Sequence, residues 1–539
     1  MNRRLHLLVA LGLLGAAYLA SVFYIVHLRR TATNPHGPPR LVIRFAHWQL
    51  ESGMREAFDL IAHRYMALHP DVRVEQFAVP GRVYRQWLST QLAAGTVPDL
   101  VCFNSTDQSD VAQLPRNFSA ITRWMDEPNP YNAGTKLAGV PWRLTFIDGG
   151  RNRATYIDQY RNYYAVGLSS HSMRIFYNKD LLREITGRDA PPADFRSWLE
   201  LGQKVRTHRP GLIHVAGAHD NTIWLMPTLI NQAMAKWILT GDHELRFATT
   251  GFDLFGDMLA GRWDLRSPPL QTSLRIMRAF GAEMTPGFLQ LDRDSAMRAF
   301  LRGEALSLPN GTWDYPTMRE AAKFQIGAFR LPLPGPDDAQ YGGYALLPVS
   351  DGGAGTALPL YLARQSRHPE AAIDFLRYVT SMEGNRLFSQ ASHCMPSVEG
   401  VAIAPELQPF QQNNHGYIIT DVQNGPQLIN GPGAAYTQLF ETNLHVLYAP
   451  DGGVEAYTRV LERQIREIVA SDLRKQIHIQ RENLRRRDTA LAALSFLGPT
   501  EQTESVRQQS SQHLNELHLY LMETKLDAAA KPGVPGLSF

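Results

Sequence analysis

The sequence predicts an α/β fold built around a parallel sheet, and two observations carry that prediction. Between residues 41 and 103 short apolar segments alternate with amphipathic helical ones, the pattern of βαβ units with helices on the faces of a sheet. The composition is that of an ordinary globular chain. Of 539 residues, 44% are hydrophobic and 19% charged, which excludes wholesale disorder and provides for a large core. At roughly 100–200 residues per domain, the length predicts about two to four domains.

The first thirty residues stand apart. Arg3 and Arg4 precede an apolar run from Leu5 to Leu28, interrupted by His6 and His27 and closed by Arg29 and Arg30. A span of about 20 apolar residues crosses a bilayer core, so a transmembrane anchor is expected. A cleaved signal peptide, with Gly15-Ala16-Ala17 as a weak cleavage site, is the alternative. Either reading places the body outside the cytoplasm, in the periplasm or outside the cell. Residues 31–40 (TATNPHGPPR) read as a linker.

Leu41–Phe45 reads as a buried strand. Residues 51–68 have helical spacing, with Met54, Phe58, Ile61, Tyr65 and Leu68 on one face. Residues 72–77 alternate as a second strand, 84–94 form a helix stopped by Gly95, and 100–103 form a third strand. Further helices are expected at 194–206 with an Asp cap, at 273–284, at 295–301, and at 369–380 with Pro in its first turn. Pro332–Gly335 and Ser350–Gly355 read as loops. After Gly452-Gly453 the spacing predicts a long helix over 454–487. Gly498-Pro499 breaks it, and a second helix follows over about 501–526, making a helical hairpin.

Charge and motifs narrow the function classes. Fifty-four basic and 51 acidic residues give a net charge of +3, which points to no nucleic-acid partner. Two cysteines, Cys102 and Cys394, make neither a disulfide scaffold nor a zinc site, and whether they pair is left open. The sequence has no phosphate loop, no His-Glu-x-x-His, no Gly-x-Ser-x-Gly and no Cys-x-x-Cys. Gly352-Gly-Ala-Gly355 lacks a dinucleotide-binding context. His171, His214 and His219 lack the spacing of a metal site. No cofactor and no catalytic residue is expected.

Several ordered stretches resemble one family. They are Leu41–Trp48, Phe58–Val74 with its His69-Pro70-Asp71, and Gln91-Leu-Ala-Ala-Gly-Thr-Val-Pro98-Asp99-Leu100. Arg174-Ile-Phe-Tyr-Asn-Lys-Asp-Leu181, Phe300–Ala305, Asn310-Gly-Thr-Trp313, His368–Leu376 and Ser381–Gly384 follow. Together, over about 41–470, they are similar to the extracellular sugar-binding proteins of ATP-driven (ABC) importers, the maltose-binding-protein type, family 1. The resemblance implies a two-lobed periplasmic-binding-protein fold of type II. Lobe one would comprise 41–165 and 345–395, and lobe two 166–344 and 396–470. The lobes would close on a ligand by hinge bending. It also implies a sugar or other small polar ligand, an ABC permease as membrane partner, and no enzymatic activity. The N-terminal apolar segment and the helical extension at 471–539 depart from the family pattern.

A sugar offers an apolar face to aromatic rings and hydroxyls to carboxylates and amides. Trp313, in a Gly-flanked loop, stands where the family places a stacking Trp. Trp48 ends the first strand, at the edge where open α/β sheets bind ligands; core packing is its competing role. Glu51 reads as a hydroxyl acceptor or as a first-turn carboxylate on the helix dipole. Asp107, with Asn104, Ser105 and Thr106, follows the third strand. Tyr344, beside Gly342-Gly343, sits near an expected hinge crossing. By the resemblance, Tyr436 after Asn430–Gly433 supplies an aromatic ring and Trp224 lines the cleft. Trp142 has similar chemistry without positional support. Two other functions remain in view. A carbohydrate-active enzyme would use paired acids such as Asp107 and Asp110. A membrane-anchored sensor or scaffold would use the C-terminal helices. Arg485–Arg487 read as a solvated helix end, with anionic lipid as the alternative contact.

Overall fold

The computed structural model describes residues 41–104, 108–240, 251–350, 356–418 and 433–494, apart from 153, 158–159 and 414, together with most of 509–527. The N-terminal apolar segment and linker, Asp107, and Gly352–Gly355 lie outside the described residues. Among the described residues no helix is long and apolar enough to cross a membrane.

Strand β1 (Leu41–His47) leads through helix α1 (Met54–Leu68) to β2 (Val72–Ala78), then through α2 (Gly81–Ala94) to β3 (Leu100–Cys102). β1 pairs parallel with both β2 and β3, as the alternation predicts. Helix α1 buries Met54, Ala57, Phe58, Ile61, Ala62 and Tyr65 on one stripe, and α2 stops at Gly95 in the left-handed conformation. α1 begins three residues later than its spacing suggests. Gly53 adopts φ 80°, and a Cβ there would lie 2.8 Å from the Ala391 carbonyl oxygen. Glu51 therefore precedes the helix instead of sitting in its first turn.

β4 (Ala165–Ser170) completes this side before the chain crosses at His171-Ser172 into β5 (Met173–Asn178). Helix α3 (Phe195–His208) is capped by Asp194, whose side chain accepts from the Ser197 N–H at 2.8 Å. β6 (Ile213–Val215), α4 (His219–Thr240), α5 (Gly251–Leu259), α6 (Pro268–Ala282), α7 (Arg293–Leu301), β7 (Ala305–Gly311) and β8 (Ile326–Phe329) follow. The chain then returns through β9 (Thr356–Leu362), α8 (Pro369–Val379), α9 (Met382–Ser392) and β10 (Met395–Pro396).

Two sheets result. One has the order β10-β4-β9-β3-β1-β2, and the other β8-β5-β7-β6. Each has its own buried core, one around Phe45, Phe58 and Tyr361, the other around Phe176, Phe300 and Leu308. The chain passes between the sheets at 171–172, between Phe329 and Thr356, and after Pro396. β4 belongs to the first sheet as far as Ser170, a few residues beyond the expected lobe boundary at 165. A short parallel pair, Val349-Ser350 with Tyr417-Ile418, joins the second and third crossings.

The C-terminal part continues the second lobe. Helices α10 (Ala434–Thr442), α11 (Leu444–Tyr448), α12 (Val454–Glu462) and α13 (Ile465–Leu494) pack on α4, α5 and α6. The single helix expected over 454–487 is two helices with a break at Arg463-Gln464, and the second runs on to Leu494. Val469 and Leu473 are fully buried in the same cluster as Tyr457 and Leu461, so the extension is continuous with the lobe. Leu519 and Met522, in helical backbone, pack against this cluster. Arg481 pairs with Glu523 at 2.5 Å, so the second arm of the expected hairpin folds back along α13.

Candidate functional site

In each sheet the carboxyl ends of the parallel strands are the edges where side chains can converge on a ligand. In the first lobe β1 ends at His47 and delivers Trp48, Gln49 and Glu51, while β3 ends at Cys102. In the second lobe β7 ends at Gly311 and delivers Trp313 and Asp314, while β6 leads to Asn221. The crossing between β4 and β5 is fixed to the end of β7 and to the third crossing. Ser172 N–H donates to Thr312 Oγ1 at 3.1 Å, and the Thr312 N–H donates to the Ser172 carbonyl at 3.0 Å. The Ser172 hydroxyl donates to the Phe410 carbonyl at 2.8 Å. Arg174 is buried and donates to the carbonyls of Met173, Pro409, Phe410 and Gln411, fixing the third crossing against β5.

Trp313 is half-buried and meets the His171 ring edge-on at 5.3 Å. Burial pushes the His171 pKa down to about 4, so this ring is neutral at pH 7. Trp48 is also half-buried and packs edge-on against Tyr84 at 5.0 Å. The Tyr84 hydroxyl donates to the Ala46 and Cys102 carbonyls, so this aromatic pair is held by the ends of β1 and β3. Trp48 thus combines packing with a place at the strand edge.

Glu51 occupies the most informative position. Desolvation raises its pKa, and the first two charges that act on it, Asp314 and Arg293, come from the opposite lobe. Its Oε2 is buried without a hydrogen-bond partner among the described residues. Asp314 is raised in the same sense by burial, offset mainly by the Arg293 guanidinium, whose Nη1 lies 3.1 Å from Asp314 Oδ2. Gln49, from the first lobe, is buried with its Nε2 3.8 Å from Cys102 Sγ and its Oε1 unpartnered. Asn221 Oδ1 in the second lobe is likewise buried and unpartnered. A buried acceptor without a donor costs about 1–3 kcal/mol. Such atoms stand in both lobes, next to the candidate residues at the strand ends.

Of the remaining expected residues, some are placed away from these strand ends and some lie outside the described residues. Tyr436 is fully enclosed in the helical cluster against Phe255 and Phe440, with no ring face to offer a ligand. Tyr344 is half-buried, with its carbonyl accepting from the Lys236 N–H on α4 at 2.9 Å. Trp224 lies on α4, its side chain outside the described residues, as is Asp107. Asp110 is buried and paired with Arg85 at 2.5 Å, a structural role. Trp142 is fully buried and donates to Thr380 Oγ1 at 2.9 Å. His214 is buried against Glu283 at 3.0 Å, and His219 faces Asp220 at 3.5 Å. Cys102 and Cys394 are buried free thiols.

Gln49, Asp314, Arg293 and Asn221 are additions that composition and periodicity did not single out. Asp314 could have been found from its position beside Trp313. Arg293 could not, because it is distant in sequence and recruited by a helix start.

Comparison with known proteins agrees with this architecture. The multiple sugar-binding protein of Streptococcus mutans is 22% identical over 409 residues, covering 72% of this chain and 83% of the relative. The apo structure of RafE from Streptococcus pneumoniae superposes with a TM-score of 0.52 at 18% identity, covering 80% of this chain and 98% of that one. The maltose-bound MalE3 of T. maritima gives a TM-score of 0.52 at 14% identity, covering 79% and 100%. At these identities the superpositions show the fold, that of two-lobed binding proteins. The model of the bacterial extracellular solute-binding proteins matches residues 61–415, well over half of the chain, and the protein belongs to that family.

Proposed function

We propose that the protein captures a sugar or oligosaccharide between its two lobes and delivers it, unchanged, to an ABC importer permease. The observation that carries this reading is the pairing of opposed walls. Trp48, Gln49 and Glu51 come from one lobe and Trp313, Asp314 and Asn221 from the other. Each wall offers an aromatic ring and buried acceptors. The sugar-binding name of the Streptococcus mutans relative and the maltose bound to MalE3 support the ligand class. In this reading residues 1–30 tether the body outside the cytoplasm. The tether raises its concentration at the permease.

A second reading, a sensor or scaffold with the same binding lobes, rests on the C-terminal arm. There Leu514, Leu517 and Tyr520 are 54–63% exposed along one helical face, where a partner helix would fit.

Thermal-shift scans against mono- and oligosaccharides, polyols and glycerol phosphates test the first reading. Ligand at 100 times its Kd adds about 2.7 kcal/mol of stability. A shift with one sugar class that Trp313→Ala abolishes is expected. A folded protein that shifts with none of them would refute ligand capture and leave the helical arm as the working surface.

A further inference from the structure

The acceptors in the cleft are too many, and too poorly neutralised, for a ligand of arbitrary charge. We propose that the cleft selects a saccharide bearing a protonated amine over its neutral or acidic counterparts, and that Glu51 and Gln49 determine the choice. This inference deepens the saccharide reading above and rests on it.

Gln49 is 8% exposed, its amide nitrogen is directed at Cys102 Sγ, and its carbonyl oxygen has no donor among the described residues. Glu51 lies within the electrostatic reach of the same thiol, which places the two acceptors in one neighbourhood. Glu51 Oε2 also lacks a donor. With Glu51 ionised neither atom can donate, so the deficit on this wall is one of donors, while on the opposite wall Asn310 Nδ2, at the end of β7, is a buried donor without an acceptor among the described residues.

The charge balance has the same sign. Arg293 is a cation that acts on Glu51, and its own lobe engages it: Nη1 lies 3.1 Å from Asp314 Oδ2 and Nε lies 3.9 Å from Asp294 Oδ1. One guanidinium shared by two carboxylates leaves Glu51 without a counter-charge of its own. A hydroxyl supplies a single donor to such a wall. A uronate or sulfate group supplies none and is repelled. An ammonium group supplies three donors and a positive charge. The aromatic content fits as well, since Trp48 and Trp313 stand on the two walls and indole faces attract cations. His171, beside Trp313, is held neutral by burial and does not oppose a cation.

Matched pairs separate this inference from the broader reading. The full-length protein would be titrated calorimetrically at pH 6 with glucosamine and glucose, galactosamine and galactose, and β-1,4-linked glucosamine oligomers and cello-oligomers of equal length. Glucuronate and galacturonate serve as acidic partners. In whichever series binds, the amine form should bind at least about tenfold tighter than the neutral one, the scale of a charge-assisted hydrogen bond replacing a neutral one. The uronates should bind weakest. In Glu51→Gln, an isosteric change, the amine advantage should fall below about twofold, with circular dichroism showing the fold retained.

Neutral sugars binding as tightly as amines would overturn the inference and leave saccharide capture standing. An amine advantage that survives Glu51→Gln would overturn the assignment to Glu51. Binding in none of the series would overturn both the inference and the reading beneath it.

Discussion

Ser52 Oγ donates to Glu320 Oε2 across 2.8 Å, joining the loop before α1 to the short helix that follows Trp313 and Asp314. A second contact lies beside it. Arg319 Nη2 is 3.0 Å from His393 Nε2, at the end of α9 in the first lobe. The segment that carries candidate ligand contacts therefore also carries contacts between the lobes. Ser52 and Glu320 are exposed, so each contact contributes about 0–1 kcal/mol. Such a contribution biases a hinge equilibrium without fixing it.

Glu320→Ala should accordingly widen the ligand-free ensemble. Spin labels on exposed Arg64 in one lobe and Lys323 in the other would report a longer mean distance by electron–electron resonance. Ligand Kd should rise by up to about fivefold, because binding must then also supply the lost closure energy. An unchanged distance distribution would show that the contact does not bear on closure.

Glu51 gives a pH-dependent prediction with a definite sign. Its folded pKa is raised, chiefly by desolvation, so the folded protein holds this proton more tightly than the unfolded chain does. Between the unfolded pKa of about 4.3 and the raised folded value, stability falls as pH increases. Glu51→Gln removes the titration. The variant should match the parent near pH 4 and exceed it in Tm at pH 7, with the difference levelling off once the folded carboxyl is ionised. The gain at pH 7 should be accompanied by weaker ligand binding, the usual exchange of site function for stability. A Tm difference that does not vary with pH would contradict the desolvation account.

The first lobe's βαβ core was legible because its signals are local. Strand periods, the Gly95 stop and the apolar stripe of α1 all act within a few residues. Trp48 and Trp313 stand out as candidates in the sequence because each comes within two residues of a strand's end. The start of α1 was misjudged because Gly53 is placed by a close approach to Ala391, far along the chain. Tyr436 is an aromatic after a Gly-rich turn in sequence. Only the packing of α10 on α13 shows that its ring is enclosed. Arg293 and Gln49 matter through partners in other elements, so no pattern within the sequence marks them.

A buried polar cluster in the second lobe sets another limit. Glu283 accepts from Arg206 Nη1 at 2.5 Å and lies 3.0 Å from His214 Nδ1. Gly202, inside α3, leaves the room for it, since a Cβ there would run into Glu283 Oε2 and the His214 ring. Alanine in a helix interior normally gains about 0.5–1 kcal/mol over glycine. Here Gly202→Ala should instead cost about 1–3 kcal/mol, because the displaced carboxylate would leave the buried His214 ring without its partner. Urea titration would measure this, and a neutral or stabilising result would mean that Glu283 repacks freely.

Tyr436 supplies a test that separates packing from ligand contact. Its ring is fully buried between Phe255 and Phe440, with centroids 4.8 and 5.7 Å away, and its hydroxyl has no hydrogen-bond partner among the described residues. A hydroxyl in that setting has given up its hydrogen bonds to water with nothing in exchange. Tyr436→Phe keeps the ring and its aromatic contacts and removes only the unsatisfied group. Stability should therefore rise by up to about 1 kcal/mol, with ligand affinity unaltered. Tyr436→Ala should cost about 3–5 kcal/mol through the cavity it leaves. Equilibrium unfolding of the two variants, alongside their sugar affinities, would distinguish the roles. If Tyr436→Phe lost ligand affinity while keeping its stability, the residue would belong to the binding site after all, reached by a rearrangement of the helical layer on closure.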